Sequence, residues 1–293
     1  MSSGALSLCM MVKDEERVLA RCLDSVVALT PEIIIVDTGS SDATRAIAEW
    51  YRATVIPFDF SYPDFAAARN QALAHATRRW ILSLDADETV PAESVPLIQQ
   101  LIARDENDGY YFQRVNHRAN GESATTDYVI RLFPNGPMYR YRGRVHETVD
   151  ASILAAGGRL LRTPIRIDHE FTHDPEARRR RNLWYIDILN EEIAANPADH
   201  SRLDFLAAEY HQLGMFEKAA EIAERIAKVR PLDPEAHLHA GVYHLHFLRD
   251  PERARADFLE ALRLKPGYKE AESFLQAAEA AISTRATSTR AGT

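Results

Sequence analysis

The chain has little cysteine, no excess of basic charge and no long apolar run, and each absence excludes a class of protein. Two of its 293 residues are cysteines, Cys9 and Cys22, too few for a disulfide framework and without the spacing of a metal site. Acidic residues outnumber basic ones by 43 to 35, so the net charge of −8 argues against bulk nucleic-acid binding. No apolar run reaches the ~18 residues of a membrane span, and no signal peptide is visible. We therefore expect a cytoplasmic protein without a transmembrane segment.

The residues that are present suffice for a large core, since 46% are hydrophobic and 27% charged. In the first third, apolar runs without helical periodicity alternate with helix-like segments. The predicted strands are 5–12, 32–37, 53–58 and 80–87, and the predicted helices are 16–29, 43–51 and 65–77. This alternation predicts βαβ units on a parallel sheet, in which ligands bind beyond the carboxyl ends of the strands.

Residues 90–175 differ in composition, being rich in Tyr, Arg, Gly and Pro. Strand-like pieces occur at 109–115, 128–133, 144–149 and 161–169. We interpret this part as mixed or antiparallel sheet with long loops that cover the crevice.

The rest of the chain is predicted to be helical and contains a repeat. The same spacing of small, apolar and proline residues occurs twice, 35 residues apart. The first set is Ala219, Ala223, Ile226 and Pro231, and the second is Ala254, Phe258, Ala261 and Pro266. This period, with small residues at helix crossings, resembles tetratricopeptide repeats, and a helix at 268–282 would cap the array. The predicted domains are therefore 1–175, a helical linker with repeats at 176–283, and a disordered tail at 284–293.

Carboxylates cluster at two predicted strand ends. Asp37 ends "EIIIVD", and Asp85 and Asp87 end "WILSLDAD", followed by Glu88. Like charges this close repel one another, so the cluster is either a solvated strand end or a site that holds a cation. Divalent cations bind one or two carboxylates together with substrate phosphates, and a strand-end Asp-x-Asp opposite Asp37 supplies that arrangement. We interpret Glu88 as a solvated neighbour, while the segment around Asp37 could also be only a turn and a helix cap.

Five segments in order resemble family 2 glycosyltransferases of the GT-A fold. They are "LSLCMMVKDEERVLARCLDSV", "EIIIVDTGSSDAT", "FAAARNQALAHATRRWILSLDADE", "YVIRLF" and "YRGRVHETV", and together they cover nearly all of residues 5–175. The relevant bacterial branch includes lipopolysaccharide-core glucosyltransferases and peptide S-glycosyltransferases, some with tetratricopeptide repeats. The resemblance implies an α/β GT-A domain that binds a nucleotide sugar, with a mostly parallel sheet and helices on both faces. An all-α repeat domain would follow it.

The resemblance also implies roles for particular residues. The nucleotide-sugar site would comprise Val12, Lys13, Glu15, Asp37, Arg69, Asn70, Asp85, Ala86 and Asp87. Mn²⁺ or Mg²⁺ would bind Asp85 and Asp87 of the Asp-x-Asp motif. His169 and His146 are candidates for a further ligand, although a lone histidine is more often structural. Arg69 and Asn70 could equally lie on an exposed helix face.

Inverting transfer requires a general base that deprotonates the acceptor. The Glu-Asp pair that often carries this base in the family is not visible here. Glu147 in "RVHETV" and Asp127 in "TTDYVIRLF" are the candidates, and Glu147 is favoured because it follows an apolar strand and is flanked by Arg144 and His146.

The sequence thus predicts a metal-dependent inverting glycosyltransferase that uses a nucleotide sugar, UDP-linked by preference. A peptide or protein is the first choice of acceptor and a cell-envelope saccharide the second; a homo-oligomer stays open. A nucleotidyltransferase is disfavoured because "CMMVKDEERV" lacks a glycine-rich loop, and a non-catalytic repeat scaffold is disfavoured by the intact carboxylates.

Four arginines at 178–181 are either solvated or meet anionic groups such as lipid headgroups, which would place the protein at the inner membrane face.

Overall fold

The structure, a computed structural model, describes residues 5–104, 108–117, 123–170 and 174–291. It divides into two compact units, Met1–Asp174 and Pro175–Thr293. The division lies beside the boundary predicted between residues 175 and 176. Each unit is described by itself.

The first unit is built on one mixed sheet, which has eight strands within the described residues. They are β1 Leu6–Val12, β2 Glu32–Asp37, β3 Thr54–Pro57, β4 Trp80–Ser83, β5 Glu88–Thr89, β6 Gly109–His117, β7 Ser123–Pro134 and β8 Leu160–Glu170. Their order across the sheet is β3-β2-β1-β4-β7-β6-β8-β5. The first four are parallel, β7 pairs antiparallel with β4 and β6, β8 is parallel to β6, and β5 is antiparallel to β8. The predicted parallel half and mixed half are both confirmed.

The register brings the carboxyl ends of the parallel strands to one edge. Val12 pairs with Asp37 across β1 and β2, and Asp37 pairs with Pro57 across β2 and β3. Ser83, the last residue of β4, pairs with Cys9 of β1, so the chain beyond Ser83 continues towards the same edge. The turn that carries Asp85 and Asp87 begins there.

Helices cover both faces of the sheet. Those of the first unit are α1 Leu19–Val26, α2 Thr44–Trp50, α3 Phe65–His75, α4 Val95–Ile102 and α5 Asp150–Ala155, with a 3₁₀ turn at Ala92–Ser94. Neighbouring residues of β1 enter different cores: Leu8 packs in the core that includes α1 and α4, whereas Cys9 packs in the core that includes α3 and α5. A strand buried on both faces is the expected centre of a parallel sheet, and it explains the unbroken apolar run of β1.

Two helices lie where sheet and loops were predicted. The helices α4 and α5 both fall within residues 90–175. Helix α4 buries Ile98, Leu101 and Ile102 at helical spacing, but its eight residues are fewer than the window of about 11 residues over which such a period identifies a helix.

The segment predicted as a strand at 144–149 is instead a tight loop. Gly143 has φ 101° and His146 has φ 50°, in the left-handed region that no strand uses. Arg142 and Thr148 exchange main-chain hydrogen bonds of 2.9 and 3.1 Å and close the loop between them. The apolar alternation of this segment therefore reflects packing of a loop and not strand pairing.

The secondary-structure elements of the second unit are all helical within its described residues. Its helices are α6 Pro175–Ala195, α7 Leu203–Gln212, α8 Phe216–Val229, α9 Pro234–Val242, α10 Pro251–Leu264 and α11 Lys269–Ala291, and a π-helical turn, Tyr243–Phe247, follows α9. Helix α11 extends past the predicted end of the capping helix and covers most of segment 284–293. The disorder predicted for this segment stays a prediction.

The predicted repeat corresponds to helix pairs that pack through small residues. Ala219 of α8 and Ala254 of α10 are fully buried, as the repeat pattern requires. A Cβ atom on Gly241 would lie 2.5 Å from Cε1 of Phe258, so glycine is needed for α9 to approach α10. Among the described residues, no helix has both the length and the apolar character required to cross a bilayer.

Candidate active site

Asp37 lies at the end of β2, almost fully buried. Its Oδ1 accepts a hydrogen bond of 3.1 Å from the main-chain N–H of Ser40, and Nε of Arg45 lies 3.8 Å from its Oδ2. A carboxylate has about four acceptor positions, so these two contacts leave capacity for a ligand donor. Asp37 is thus positioned at the strand edge as predicted.

The loop after β1 is locked to the loop after β2. Asp14 accepts from the N–H of Ser41 at 2.7 Å and donates its own N–H to Oγ of Ser40 at 3.0 Å. The N–H of Glu15 donates to Oγ1 of Thr44 at 2.7 Å. Together these bonds fix the segment from Val12 to Glu15, while Lys13 of the same loop is exposed. The two loops form a preformed rim beside Asp37.

Glu15 shows that this rim is close to the Asp-x-Asp turn. Burial, together with the negative charges of Asp87 and Asp85, raises the pKa of Glu15 to about 7. The negative charges of the two aspartates therefore reach Glu15, and a cation bound at this edge would reduce that repulsion.

Asp85 is charge-balanced by arginines. Nη2 of Arg69 donates to its Oδ1 at 2.7 Å, and Nη2 of Arg131 donates to its Oδ2 at 2.6 Å. Burial opposes ionisation of Asp85, yet these two guanidinium groups hold its pKa well below the usual range. Arginine side chains from α3 and β7 thus balance the charge of Asp85, and its role as a metal ligand stays a prediction.

Glu88 is fully buried, so its interpretation as a solvated neighbour is wrong. Its Oε1 accepts from Nη2 of Arg131 at 2.6 Å, and its Oε2 accepts from the N–H of Asp85 at 3.1 Å. Burial raises the pKa of Glu88 even though Arg131 lies beside it. Strand β5 turns this side chain inward because it pairs with β8, a long-range contact that the local sequence does not reveal.

The two candidate bases lie at opposite ends of one chain of ion pairs. At one end, Oε1 of Glu147 accepts from Nε of Arg69 at 2.5 Å. At the other, Arg114 binds both oxygens of Asp127, at 2.9 and 2.7 Å, and lies 3.7 Å from Glu88. We call this series the charge chain. Its members are, in order, Glu147, Arg69, Asp85, Arg131, Glu88, Arg114 and Asp127.

Asn70 holds the loop that carries Glu147. Its Nδ2 donates to the carbonyl of Tyr141 at 3.0 Å, and its Oδ1 accepts from the N–H of Tyr141 at 2.8 Å. The loop is also tied to the start of α3, because the N–H of Phe65 donates to the carbonyl of Arg144 at 2.9 Å. Asn70 and Arg69 therefore position neighbouring groups, and their predicted contacts with nucleotide stay predictions. His146 lies in this loop, half-buried.

Asp87 points to a histidine and not to an arginine. Nε2 of His169 lies 3.1 Å from Oδ2 of Asp87, while Ala86 between the two aspartates is buried. Burial alone would lower the pKa of His169, but the hydrogen bond and charge of Asp87 raise it. The structure brings together Asp87 and His169, which are 82 residues apart in sequence.

The Asp87–His169 pair fits a divalent cation of the kind the family resemblance implies. Neighbouring ligands of an octahedral ion at 2.0–2.1 Å are separated by about 3 Å, which matches the distance between Oδ2 of Asp87 and Nε2 of His169. No cluster of three or more acidic, histidine or cysteine ligands occurs among the described residues. Phosphate and water oxygens would complete such a site, as Mg²⁺ sites in phosphate-binding enzymes commonly require.

Sequence reasoning missed Arg131, although the sequence contains a signal for it. Arg131 interrupts the apolar run "YVIRLF" in a strand that buries Ile130 and Leu132 on either side. An arginine buried in a strand requires an acidic partner, so the pattern predicts an internal ion pair but not which acid forms it.

A parallel sheet with Asp37 and the Asp-x-Asp turn at its carboxyl-end edge is typical of α/β domains that bind a ligand at that edge. Comparison with known families identifies which kind. The model of the family described as "Glycosyl transferase family 2" matches residues 7–167, more than half of the chain. The chain belongs to glycosyl transferase family 2. The predicted family and its GT-A fold are confirmed.

Two curated relatives extend this result. A TPR repeat-containing protein of Synechococcus elongatus is 32% identical over 265 residues, which cover 88% of this chain and 64% of that protein. The lipopolysaccharide core biosynthesis glycosyltransferase LpsC of Rhizobium meliloti is 29% identical over 153 residues, or 49% of this chain and 56% of LpsC. This chain thus spans less than two thirds of either relative. The first relative is a repeat-containing protein, and this confirms the tetratricopeptide-like repeats predicted for the second unit.

A solved structure also resembles the chain. Residues 1–349 of S. aureus TarS in complex with UDP-GlcNAc align with a TM-score of 0.49 and 14% identity, over 96% of this chain and 92% of TarS.

The charge chain leads to a prediction about stability. Replacing Arg131 by leucine leaves Asp85 and Glu88 without their shared counter-charge, and we expect the free energy of unfolding to fall by about 3–5 kcal/mol. Urea denaturation followed by tryptophan fluorescence measures this change. The matched control is Arg21→Leu, which breaks an exposed ion pair with Glu170 in the same unit and should leave stability nearly unchanged. Equal effects of the two substitutions would contradict a stabilising role for the charge chain.

Proposed function

We propose that this protein transfers a hexose from a UDP-sugar to a peptide or protein acceptor, with inversion and with Mn²⁺ or Mg²⁺ bound. The observation that supports this proposal most directly is that the two aspartates of the Asp-x-Asp turn have different partners. Asp85 is balanced internally by Arg69 and Arg131, whereas Asp87 faces His169 and lies near the acidic rim.

Asp87 and His169 would hold the cation, and the donor diphosphate would complete its ligands. When bound, the ion stabilises the negative charge of the departing nucleoside diphosphate. Asp37 would accept a hydrogen bond from the base or ribose of the donor. The rim from Val12 to Glu15 is already fixed by side-chain bonds, so it can receive the nucleotide without ordering first.

Between the two candidate bases, the contacts favour Glu147. Arg114 binds both carboxylate oxygens of Asp127, whereas the bond from Arg69 to Glu147 engages Oε1. A base needs an oxygen lone pair that can take the acceptor proton, and Oε2 of Glu147 can supply one. Arg69 would meanwhile orient the carboxylate, since a guanidinium holds its partner in a defined plane.

A cavity in the second unit supports a peptide acceptor. It measures about 400 Å³ and is lined mainly by α7, α8, α9 and the π-helical turn, with Ala208, His211, Val242 and Phe247 among its walls. Tetratricopeptide-type arrays use such concave surfaces to bind extended segments. The similarity to LpsC favours a cell-envelope saccharide as the second candidate acceptor.

The metal site can be tested by binding. Asp87→Asn removes a negative oxygen ligand without disturbing the charge chain, so we expect the fold to persist while Mn²⁺-dependent binding of UDP is lost. Calorimetric titration of UDP in Mn²⁺ and in EDTA measures the metal-dependent part. The comparison variant, Asp85→Asn, should instead lower stability because it removes the negative charge that two buried arginines share. Wild-type affinity of Asp87→Asn for UDP in Mn²⁺ would remove Asp87 from the metal site.

Kinetic measurements can separate the role of the general base from substrate binding. Glu147→Gln keeps the size of the side chain but cannot take a proton, so transfer should fall by ~10²–10⁴-fold while UDP affinity persists. Asp127→Asn should raise the acceptor KM more than it lowers kcat. Steady-state assays with both substrates varied measure these constants. If Asp127→Asn is inactive and Glu147→Gln turns over normally, the two roles are exchanged.

The acceptor class can be tested with labelled donor. We expect transfer from a panel of UDP-hexoses to unstructured peptides, and Ala208→Tyr, which narrows the cavity, should raise the peptide KM while leaving donor hydrolysis unchanged. Ala277→Tyr on α11 is the matched control, because Ala277 is also an exposed helical alanine. Transfer to lipopolysaccharide core saccharides and not to peptides would show that the second candidate acceptor is correct.

A further inference from the structure

Asn116 is a buried amide in the middle of the mixed half of the sheet. It lies on β6, where the register pairs it with His169 of β8 on one side and with Thr125 of β7 on the other. Only 8% of the residue is exposed. A polar side chain in this position must satisfy its hydrogen bonds across the strands.

The contacts of Asn116 are directional. Its Nδ2 donates to Oγ1 of Thr125 at 3.0 Å, which turns Oδ1 towards His169. Oδ1 lies 2.6 Å from Nδ1 of His169, and because an amide oxygen can only accept, Nδ1 carries the proton. The other ring nitrogen, Nε2, faces Oδ2 of Asp87. The series Thr125, Asn116, His169, Asp87 therefore crosses the strands β7, β6 and β8 and reaches the turn that follows β4.

We propose that Asn116 is a positioning residue, which fixes the ring orientation and tautomer of His169 so that Nε2 can bind a divalent cation beside Asp87. This proposal rests on the metal-dependent function proposed above. Histidines that bind metals generally donate their second ring N–H to a carbonyl or carboxylate oxygen, and loss of that acceptor weakens metal binding. Asn116 supplies such an oxygen from a neighbouring strand, which is more rigid than a loop.

The competing explanation is that Asn116 only satisfies buried hydrogen bonds between strands. The two explanations differ in what replaces asparagine successfully. A positioning role requires an acceptor oxygen opposite Nδ1, which aspartate retains and leucine, of similar size, does not. A purely structural role predicts no specific change in metal affinity.

The experiment measures Mn²⁺ affinity of the full chain by electron paramagnetic resonance with UDP present, and UDP affinity without metal by calorimetry. Asn116→Leu and Asn116→Ala should each weaken Mn²⁺ binding by about 10–100-fold, while metal-free UDP affinity stays unchanged. Asn116→Asp should retain most of the wild-type affinity for Mn²⁺. The control is Asn135→Ala, which removes an amide that bonds the carbonyls of Ala76 and Arg78 elsewhere in the same unit, and its Mn²⁺ affinity should match wild type.

Several results would overturn the proposal, and they separate it from the proposed function. Wild-type Mn²⁺ affinity in whichever of Asn116→Leu and Asn116→Ala folds, combined with weakened binding in His169→Ala, would leave the metal site intact and remove the role of Asn116. Equal losses in Asn116→Asp and Asn116→Leu would show that an acceptor oxygen is not what matters. Unchanged Mn²⁺ affinity in His169→Ala would instead overturn the metal site itself.

Discussion

The charge chain is the interaction on which the active-site half of this protein depends. Three arginines and four carboxylates alternate from Glu147 to Asp127 and connect a helix, a loop, a turn and three strands. Each buried member loses hydration on folding, and only its neighbours compensate for that loss. The strands that carry Arg131, Glu88 and Arg114 must therefore pair in one register, because a slip by one residue would turn these side chains to the opposite face. The same network that closes the fold also sets the positions of both candidate bases.

The charge chain also distinguishes two aspartates that look equivalent in the sequence. Asp85 is directed inward to Arg69 and Arg131, while Asp87 is directed to His169. An Asp-x-Asp motif places successive polar side chains on the same side of an extended chain, but here a turn follows β4 and separates them. Metal-binding and fold-stabilising roles can then be carried by residues only two positions apart.

The sequence predicted the parallel strands well because their signals are local. The run "EIIIVD" coincides with β2, and the carboxylate at its end lies where parallel strands place ligand-binding groups. Contacts between distant segments were not predictable in this way. The partner of Glu88 is Arg131, 43 residues further along, and without it Glu88 resembles any exposed acid. Likewise, the loop that carries Glu147 depends on a left-handed conformation at His146, which only its packing with α3 and its closing bonds enforce.

The π-helical turn Tyr243–Phe247 shows how a helical repeat can contain one residue more than usual. Tetratricopeptide repeats recur at about 34 residues, whereas Ala254 follows Ala219 by 35. A π-helical turn contains one residue more than an α-helical turn would, so it accommodates a single-residue insertion without lengthening a loop. The turn begins at Tyr243 and ends at Phe247, and both side chains line the cavity. An insertion of this kind changes the shape of a binding surface in one mutational step while the helix pairs on either side keep their packing.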